Sequence, residues 1–155
     1  MTRVCLVGDD DCDLRYELLS RETSRDALST YDIEQPYANS VAVETISLGA
    51  AVSLLNDLNW YLVRFVDFSM VLEPSVTEGE WLSRAMATAI RDGEIGADES
   101  GQFLKMYGVE RDDGGTERLV EPMYVTRTGP QLPEYDLRDV DETLLLRVTE
   151  QEFGG

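Results

Sequence analysis

The stretch VCLVGDDDCD, residues 4–13, decides the fold, because four consecutive apolar residues are followed at once by a run of carboxylates. Residues 4–7 are continuously apolar rather than alternating, which predicts a strand covered on both faces of its sheet. The glycine and the four aspartates of residues 8–13 predict a loop at the end of that strand. No other stretch of the chain looks more like a binding site.

Outward from this strand, apolar periodicity predicts further elements. Strands are predicted over residues 4–7, 40–46, 60–72, 118–125 and 143–149. The strand over 60–72 is either long or broken by a bend at Asp67 and Ser69. Helices are predicted over residues 13–19, where alternation also allows a strand, from Thr23, over 48–58 behind the cap residue Ser47, over 77–93, and briefly from Asp98. The strongest local signal is in the fourth helix, where Val76, Thr77, Glu80 and Trp81 are spaced as a capping box with a hydrophobic staple. Gly93 stands where a left-handed C-terminal cap belongs.

The order of these elements predicts the fold class. The early alternation of strands and helices favours right-handed crossovers, whereas the turn at Asp113-Gly114 favours an antiparallel hairpin. Pro122 in the returning strand predicts an edge or a bulge. No repeat or linker divides the sequence, so we expect one α+β domain over residues 1–155, with a mixed β-sheet packed against helices.

Charge is the most extreme property of the sequence. Thirty-one acidic residues oppose 13 basic ones, twelve arginines and Lys105, for a net charge of −18. At low salt so much like charge destabilises a compact state, whereas about 1 M salt shortens the Debye length to ~3 Å. Because 43% of the residues are hydrophobic, the chain is expected to fold rather than to remain disordered. The composition therefore predicts adaptation to molar potassium chloride.

Several chemistries are excluded by the residue types. The chain has no histidine, which removes Ser-His and Cys-His nucleophile pairs and imidazole zinc sites. It has no P-loop or G-x-G-x-x-G motif, and no arginine cluster is free of neighbouring acids, so no cofactor, nucleic acid or membrane surface is predicted as a partner. Cys12 lies among aspartates that disfavour its thiolate. Two cysteines, no leader-like N-terminus and no apolar run of roughly 18 residues predict a reducing cytoplasm.

The acidic loop has two interpretations. Asp9, Asp11 and Asp13 could hold magnesium or manganese at the carboxyl end of the first strand, as in the acidic pocket of receiver domains. No matching acceptor aspartate or lysine can be placed, and an EF-hand fails because Leu14 and Ser20 replace its glycine and glutamate. The other interpretation is that the aspartates cap the next helix and hydrate the surface.

The aromatic residues are also open to two interpretations. Trp60, Tyr61 and Phe65 could line a pocket, but aromatic residues of a strand are usually buried, so they are predicted to be core residues. Tyr124 and Tyr135 either pack internally or form a surface for a partner.

Five stretches together resemble a family of small uncharacterised proteins from halophilic archaea. They are MTRVCLVGDDD, DLRYELLSRETSR, SLGAAVSLLNDLNWYLVRF, RLVEPMYVTRTG and PEYDLRDVDETLLLRVTE. The resemblance covers nearly the whole chain and implies a cytoplasm rich in potassium chloride. It implies no activity, cofactor or site residue.

Two functions follow from the sequence. The first is a non-catalytic module of a halophilic cytoplasm that binds a protein partner or a small ligand. The alternative is a magnesium- or manganese-dependent hydrolase or phosphoryl-transfer enzyme that uses Asp9, Asp11 and Asp13.

The charge predicts a dependence on salt. Lowering potassium chloride from about 2 M to about 50 mM lengthens the Debye length severalfold and restores the self-repulsion. We expect cooperative tertiary structure to be lost. Near-ultraviolet circular dichroism measures this loss. A melting temperature that does not change over this range contradicts the halophile interpretation.

Overall fold

The computed structural model of the protein describes residues 1–129 and 131–154. Within these residues the chain forms seven strands, six α-helices and one 3-10 helix at Ala97–Glu99. The strands are β1 (Thr2–Gly8), β2 (Ser40–Thr45), β3 (Val66–Leu72), β4 (Trp81–Ser83), β5 (Phe103–Arg111), β6 (Glu117–Thr126) and β7 (Glu142–Arg147). The helices are α1 (Leu14–Leu19), α2 (Glu22–Leu28), α3 (Leu48–Asp57), α4 (Asn59–Phe65), α5 (Arg84–Arg91) and α6 (Glu150–Gly154).

The strands form one mixed sheet in the order β2-β1-β3-β4-β7-β5-β6. Strands β4 and β7 are parallel, and the other neighbouring pairs are antiparallel. This confirms the predicted fold class, a single α+β domain. The predicted early crossovers are wrong, because β1 pairs antiparallel with both β2 and β3.

Strand β1 is the interior strand that its apolar run predicts. Val4 and Leu6 face one side of the sheet, where they pack against helices, and Cys5 faces the other. Helices α1 to α5 cover the first side through a core of fully buried leucines and valines. The most buried members of this core are Val4, Leu14, Leu18, Val52, Leu55, Leu58, Val71 and Leu82.

On its other side the sheet curls, so that strands far apart in the order face each other. Strands β4 and β7 separate β3 from β5 in the sheet, yet the rings of Phe68 and Tyr107 stack with centroids 4.8 Å apart and planes inclined by 13°. At one end of the curl the backbone N–H of Ala38 donates to the carbonyl of Glu117 over 2.7 Å, which joins the segment before β2 to the start of β6. The two ends of the sheet therefore approach each other. The side of the sheet that they enclose, opposite to α1–α5, is its inner face.

A third small core lies on the outer side of β5 and β6. The ring of Tyr135 packs so closely on Gly108 that a Cβ atom there would come within 2.9 Å of it. The Tyr135 hydroxyl donates to the Glu121 carbonyl over 2.6 Å. Tyr135 therefore packs internally and fixes the loop before β7. Pro130 lies outside the described residues.

The predicted strand over residues 60–72 is wrong in its first half. Residues 59–65 form α4, and the chain turns into β3 only at Val66. Leu58, Tyr61 and Leu62 are buried at helical spacing, so the same apolar residues satisfy a helix as well as a strand. The helix also exposes Trp60, which was predicted to be in the core.

The predicted helix over residues 77–93 begins seven residues late. Residues 81–83 instead form β4, which pairs with β3 and with β7 and buries Trp81 and Leu82. Ser83 is the cap of α5, since its hydroxyl accepts from the Met86 N–H over 3.0 Å. The helix ends as predicted, with Gly93 at a φ of 76°. Tertiary strand pairing has overridden a local capping pattern.

The remaining local predictions hold with two exceptions. The helix predicted from Asp98 is the 3-10 helix Ala97–Glu99, of 3 residues, which begins before Asp98. Helix α1 and the cap Ser47 are confirmed, as is the hairpin of β5 and β6. Pro122 lies on the edge strand β6, next to an irregularity in the pairing register. Helix α2 begins at Glu22, so the predicted cap at Thr23 is wrong.

The predicted capping box does not form, because the carboxylate of Glu80 binds two arginines instead. Arg127 donates to both of its oxygens over 2.7 and 2.8 Å, and Arg147 donates through Nε over 2.8 Å. Arg147 also donates to the Ser100 hydroxyl over 2.8 Å. Burial disfavours the charged form, but the two arginines outweigh it and hold the pKa of Glu80 below its ordinary value of 4.5. The carboxylate thus connects the segment before β4 to β6 and β7.

Substitution Glu80→Gln is expected to destabilise the fold by about 2 kcal/mol, since hydrogen bonds to a charged group are lost and two arginines are left without their carboxylate. Urea denaturation at constant molar potassium chloride measures this. The difference from the native protein should shrink as pH falls below 4.5, because a depressed carboxyl pKa contributes stability that is lost on acidification. The exposed Glu78→Gln is the matched control, and equal stabilities of the two variants would contradict a role for the network.

Candidate ligand-binding groove

The inner face of the curled sheet carries the chain's single lysine. Lys105 lies on β5 opposite Leu146 of β7 and Tyr124 of β6, and Leu146 in turn lies opposite Trp81 of β4. These four side chains form a row across four strands. At the edge of the row the sheet opens into a groove of about 990 Å³, which we call the Lys105 groove.

Aromatic rings surround the ammonium of Lys105. Its Nζ lies 5.2 Å from the ring centroid of Tyr107, 5.5 Å from that of Tyr124 and 5.9 Å from that of Phe68. These distances are within the range of cation–π attraction. We call these three rings the aromatic cage. Because Phe68 belongs to β3 and the other two rings belong to β5 and β6, the curl of the sheet brings the three rings together.

The electrostatics of the groove keep Lys105 charged. Burial opposes the ammonium, but Tyr107, Tyr124 and the carboxylate of Asp67 outweigh it and raise the pKa of Lys105. Burial raises the pKa of Tyr107 as well, although the nearby ammonium acts against the shift. A lysine that stays protonated can bind an anion, but it cannot act as a nucleophilic amine.

Asp67 is the acidic counterpart of Lys105 in the same groove. It is the extra residue of a bulge, because Val7 pairs with Phe68 while Gly8 pairs with Val66. Partial burial and the charges of Asp9 and Asp10 raise its pKa. No ion pair joins Asp67 to Lys105 in the described part of the chain.

The far wall of the groove is formed by α5 and α6. The Glu152 carboxylate of α6 accepts from the Ser83 hydroxyl over 2.6 Å and from the Thr149 N–H over 2.9 Å. The ring of Phe153 lies 5.8 Å from that of Tyr124 in an edge-on arrangement. Helix α6 is therefore fixed both to the start of α5 and to the aromatic cage.

The acidic loop has a structural role at the end of β1. The Asp13 carboxylate caps α1 by accepting from the Tyr16 N–H over 3.2 Å, and the Asp9 N–H donates to the Phe65 carbonyl over 2.9 Å. Asp11 is exposed. Across residues 1–129 and 131–154, no three Asp, Glu or Cys side chains converge as metal ligands do. The geometry gives no support to the predicted metal site at Asp9, Asp11 and Asp13, which stays a prediction.

The predicted aromatic groups lie in different places. Tyr61 is buried, whereas Trp60 is 48% exposed and is covered by Arg64, whose guanidinium carbon lies 3.7 Å from the centroid of its ring. Tyr124 is half exposed in the Lys105 groove. Neither Asp67 nor Lys105 was predicted as a site residue. The available signal was the placement of the only lysine, between apolar residues of a strand in a very acidic chain.

The fold and groove define the protein as a small α+β domain with a curled mixed sheet and a concave site on its inner face. The chain belongs to a family of unknown function, DUF5804, whose family model matches residues 2–109. The matched range includes Asp67, Phe68, Lys105 and Tyr107 and stops before Tyr124. Neither a curated protein nor a solved structure matches the chain. No helix of the described residues is long and apolar enough to cross a membrane.

The two thiols are expected to be unreactive in the folded protein. Burial raises the pKa of Cys5 to about 12, and burial together with Asp9 and Glu17 raises that of Cys12. Since the thiolate is the nucleophile, iodoacetamide at about pH 8 should label neither cysteine in the folded state and both in urea. Intact mass measures the labelling, and Cys12→Ser isolates Cys5. Rapid labelling of the folded protein contradicts this prediction.

Proposed function

We propose that the protein is a non-catalytic binding module, and that its Lys105 groove binds a small organic ligand with one anionic group beside an apolar body. The observation that carries this proposal is the half-buried ammonium of Lys105 inside an aromatic-lined concavity. A few polar groups among apolar walls are typical of small-molecule sites, and the groove volume lies within their range.

The charges around the groove favour a ligand with a single negative charge. Glu94, Glu150 and Glu152 also line it and would repel a polyanion. The other cation, Arg84, already donates to the side-chain oxygens of Asn59 and Asn56 over 2.8 and 3.0 Å. Lys105 is thus the cation available to a ligand in this part of the described chain.

Binding is favoured over catalysis because the groove lacks a suitable set of reacting groups. Lys105 is held protonated, Tyr107 is held in its neutral form, and the chain has no histidine to move protons near neutral pH. The alternative, a magnesium- or manganese-dependent hydrolase or phosphoryl-transfer enzyme, would need carboxylates that converge. A small ligand is favoured over a protein partner because Lys105 and Tyr124 lie in a concavity of small-molecule size, and the other exposed aromatics, Tyr16 and Trp60, lie outside it.

We also infer that the protein works in a cytoplasm rich in potassium chloride, because molar salt screens the self-repulsion of a chain of net charge −18. A halophilic archaeal source would supply this environment. The inference depends on composition and is tested by the salt dependence of the fold. It is independent of the identity of the ligand.

The test uses 3-phenylpropionate, which joins one carboxylate to an apolar body. Its titration is followed by backbone amide NMR at about 2 M potassium chloride. We expect saturable shifts at Phe68, Lys105, Tyr107 and Leu146. Substitution Lys105→Met should weaken binding roughly tenfold or more, since a charge-assisted hydrogen bond is lost.

Two controls make this experiment decisive. Lys105→Arg keeps the cation and should retain binding, and Arg118→Gln removes a cation from the exposed side of β6 and should change nothing. The proposal is contradicted if the shifts do not saturate, if they lie outside the groove, or if Lys105→Met binds as well as the native protein.

A further inference from the structure

Resting on the proposed function, we infer that the Lys105 groove takes a small zwitterion of the α-amino acid type, with its carboxylate on Lys105 and its ammonium on Asp67. The inference depends on two opposite charges that line one groove without being paired to each other. A ligand that carries a carboxylate and an ammonium can bind Lys105 and Asp67 at the same time.

The backbone explains why Asp67 is available to a ligand. As the extra residue of the β3 bulge, it is released from the regular alternation of side chains, and bulges are a common means of redirecting a side chain beside a site. Its neighbour Phe68 points inward and stacks on Tyr107 beside Lys105. Consecutive residues of β3 thus supply an acidic group and a wall of the aromatic cage.

The surrounding charges divide the groove into two poles. Asp9 and Asp10 lie close enough to Asp67 to raise its pKa, so the potential on that side is negative and favours an ammonium. Lys105 provides the positive pole. The negative side disfavours a simple anion, which has no group to place there, whereas a zwitterion complements both sides.

The apolar walls accept the rest of such a ligand. Leu62 and Val63 of α4 line one side of the groove, and Leu146 and Val148 line another. Val63 is 72% exposed, so an apolar side chain of the ligand would remove it from water. An amino acid with an aromatic or branched aliphatic side chain fits this surface better than a polar one.

The test compares a compound that carries both charged groups with two compounds that each lack one of them. L-phenylalanine has both poles, 3-phenylpropionate lacks the amine, and phenethylamine lacks the carboxylate. Backbone amide NMR titrations at about 2 M potassium chloride give their affinities. We expect L-phenylalanine to bind roughly fivefold more tightly than 3-phenylpropionate, as one partly screened ion pair allows, and phenethylamine to bind most weakly.

Substitution at Asp67 identifies the group that reads the amine. Asp67→Asn should remove the preference for L-phenylalanine while 3-phenylpropionate still binds, and Asp67→Glu should keep the preference. The matched control is Asp57→Asn, which removes an exposed carboxylate outside the groove and should leave the preference unchanged. Using Asp67→Glu beside Asp67→Asn separates a loss of charge from a local loss of structure.

The outcomes separate the two proposals. Equal binding of L-phenylalanine and 3-phenylpropionate, with both lost in Lys105→Met, overturns the zwitterion and leaves the anion-binding groove intact. A preference that survives Asp67→Asn also overturns it, because the amine is then bound elsewhere. Absence of groove shifts with all three compounds overturns the proposed function as well.

Discussion

The contact on which the rest of the structure depends is the stacking of Phe68 on Tyr107. It brings β3 against β5, although two strands separate them in the sheet, and it closes the curl that makes an inner face. A flat sheet would leave Cys5, Met70 and Leu146 exposed on that side, because the helices α1 to α5 cover only the other. The curl therefore buries a second core and, at its open edge, produces the Lys105 groove. Folding and the candidate site share one cause.

The large negative charge explains why a binding site would lie in this position. If the protein works in molar salt, as proposed above, a charge on the open surface is screened within a few ångströms, and exposed arginines then contribute little to recognition. A partly buried ammonium among aromatic rings is screened less by salt, and the fold already holds it in position to bind a ligand. In a chain of net charge −18, the one lysine is half buried, and the ordinary surface cations are arginines. Recognition is therefore expected where the fold excludes solvent ions.

Much of the fold could be predicted from local pattern, and the failures that concern strand pairing have one physical origin. The apolar run of β1, the Ser47 cap and the Gly93 end depend on neighbours in sequence, and these predictions are right. The segment 81–83 carries a strong helix-start signal, yet it pairs with β3 and β7 because that arrangement buries Trp81 and Leu82. Strand order and the single parallel pair depend on contacts between distant residues, which a sequence alone does not display.

The candidate site shows the same limit more sharply. The acidic loop attracts attention because four aspartates lie within six residues, whereas Asp67 and Lys105 are 38 positions apart and are joined only by the curl. The structure gives the loop the capping role of the second interpretation, and a further role beside the groove. Its backbone is tied to the end of α4, Asp13 caps α1, and the charges of Asp9 and Asp10 act on Asp67. The loop thus shapes the electric field at one end of the groove through the charges of Asp9 and Asp10, and this is how a dense acidic run can matter to binding at a site that lies outside it.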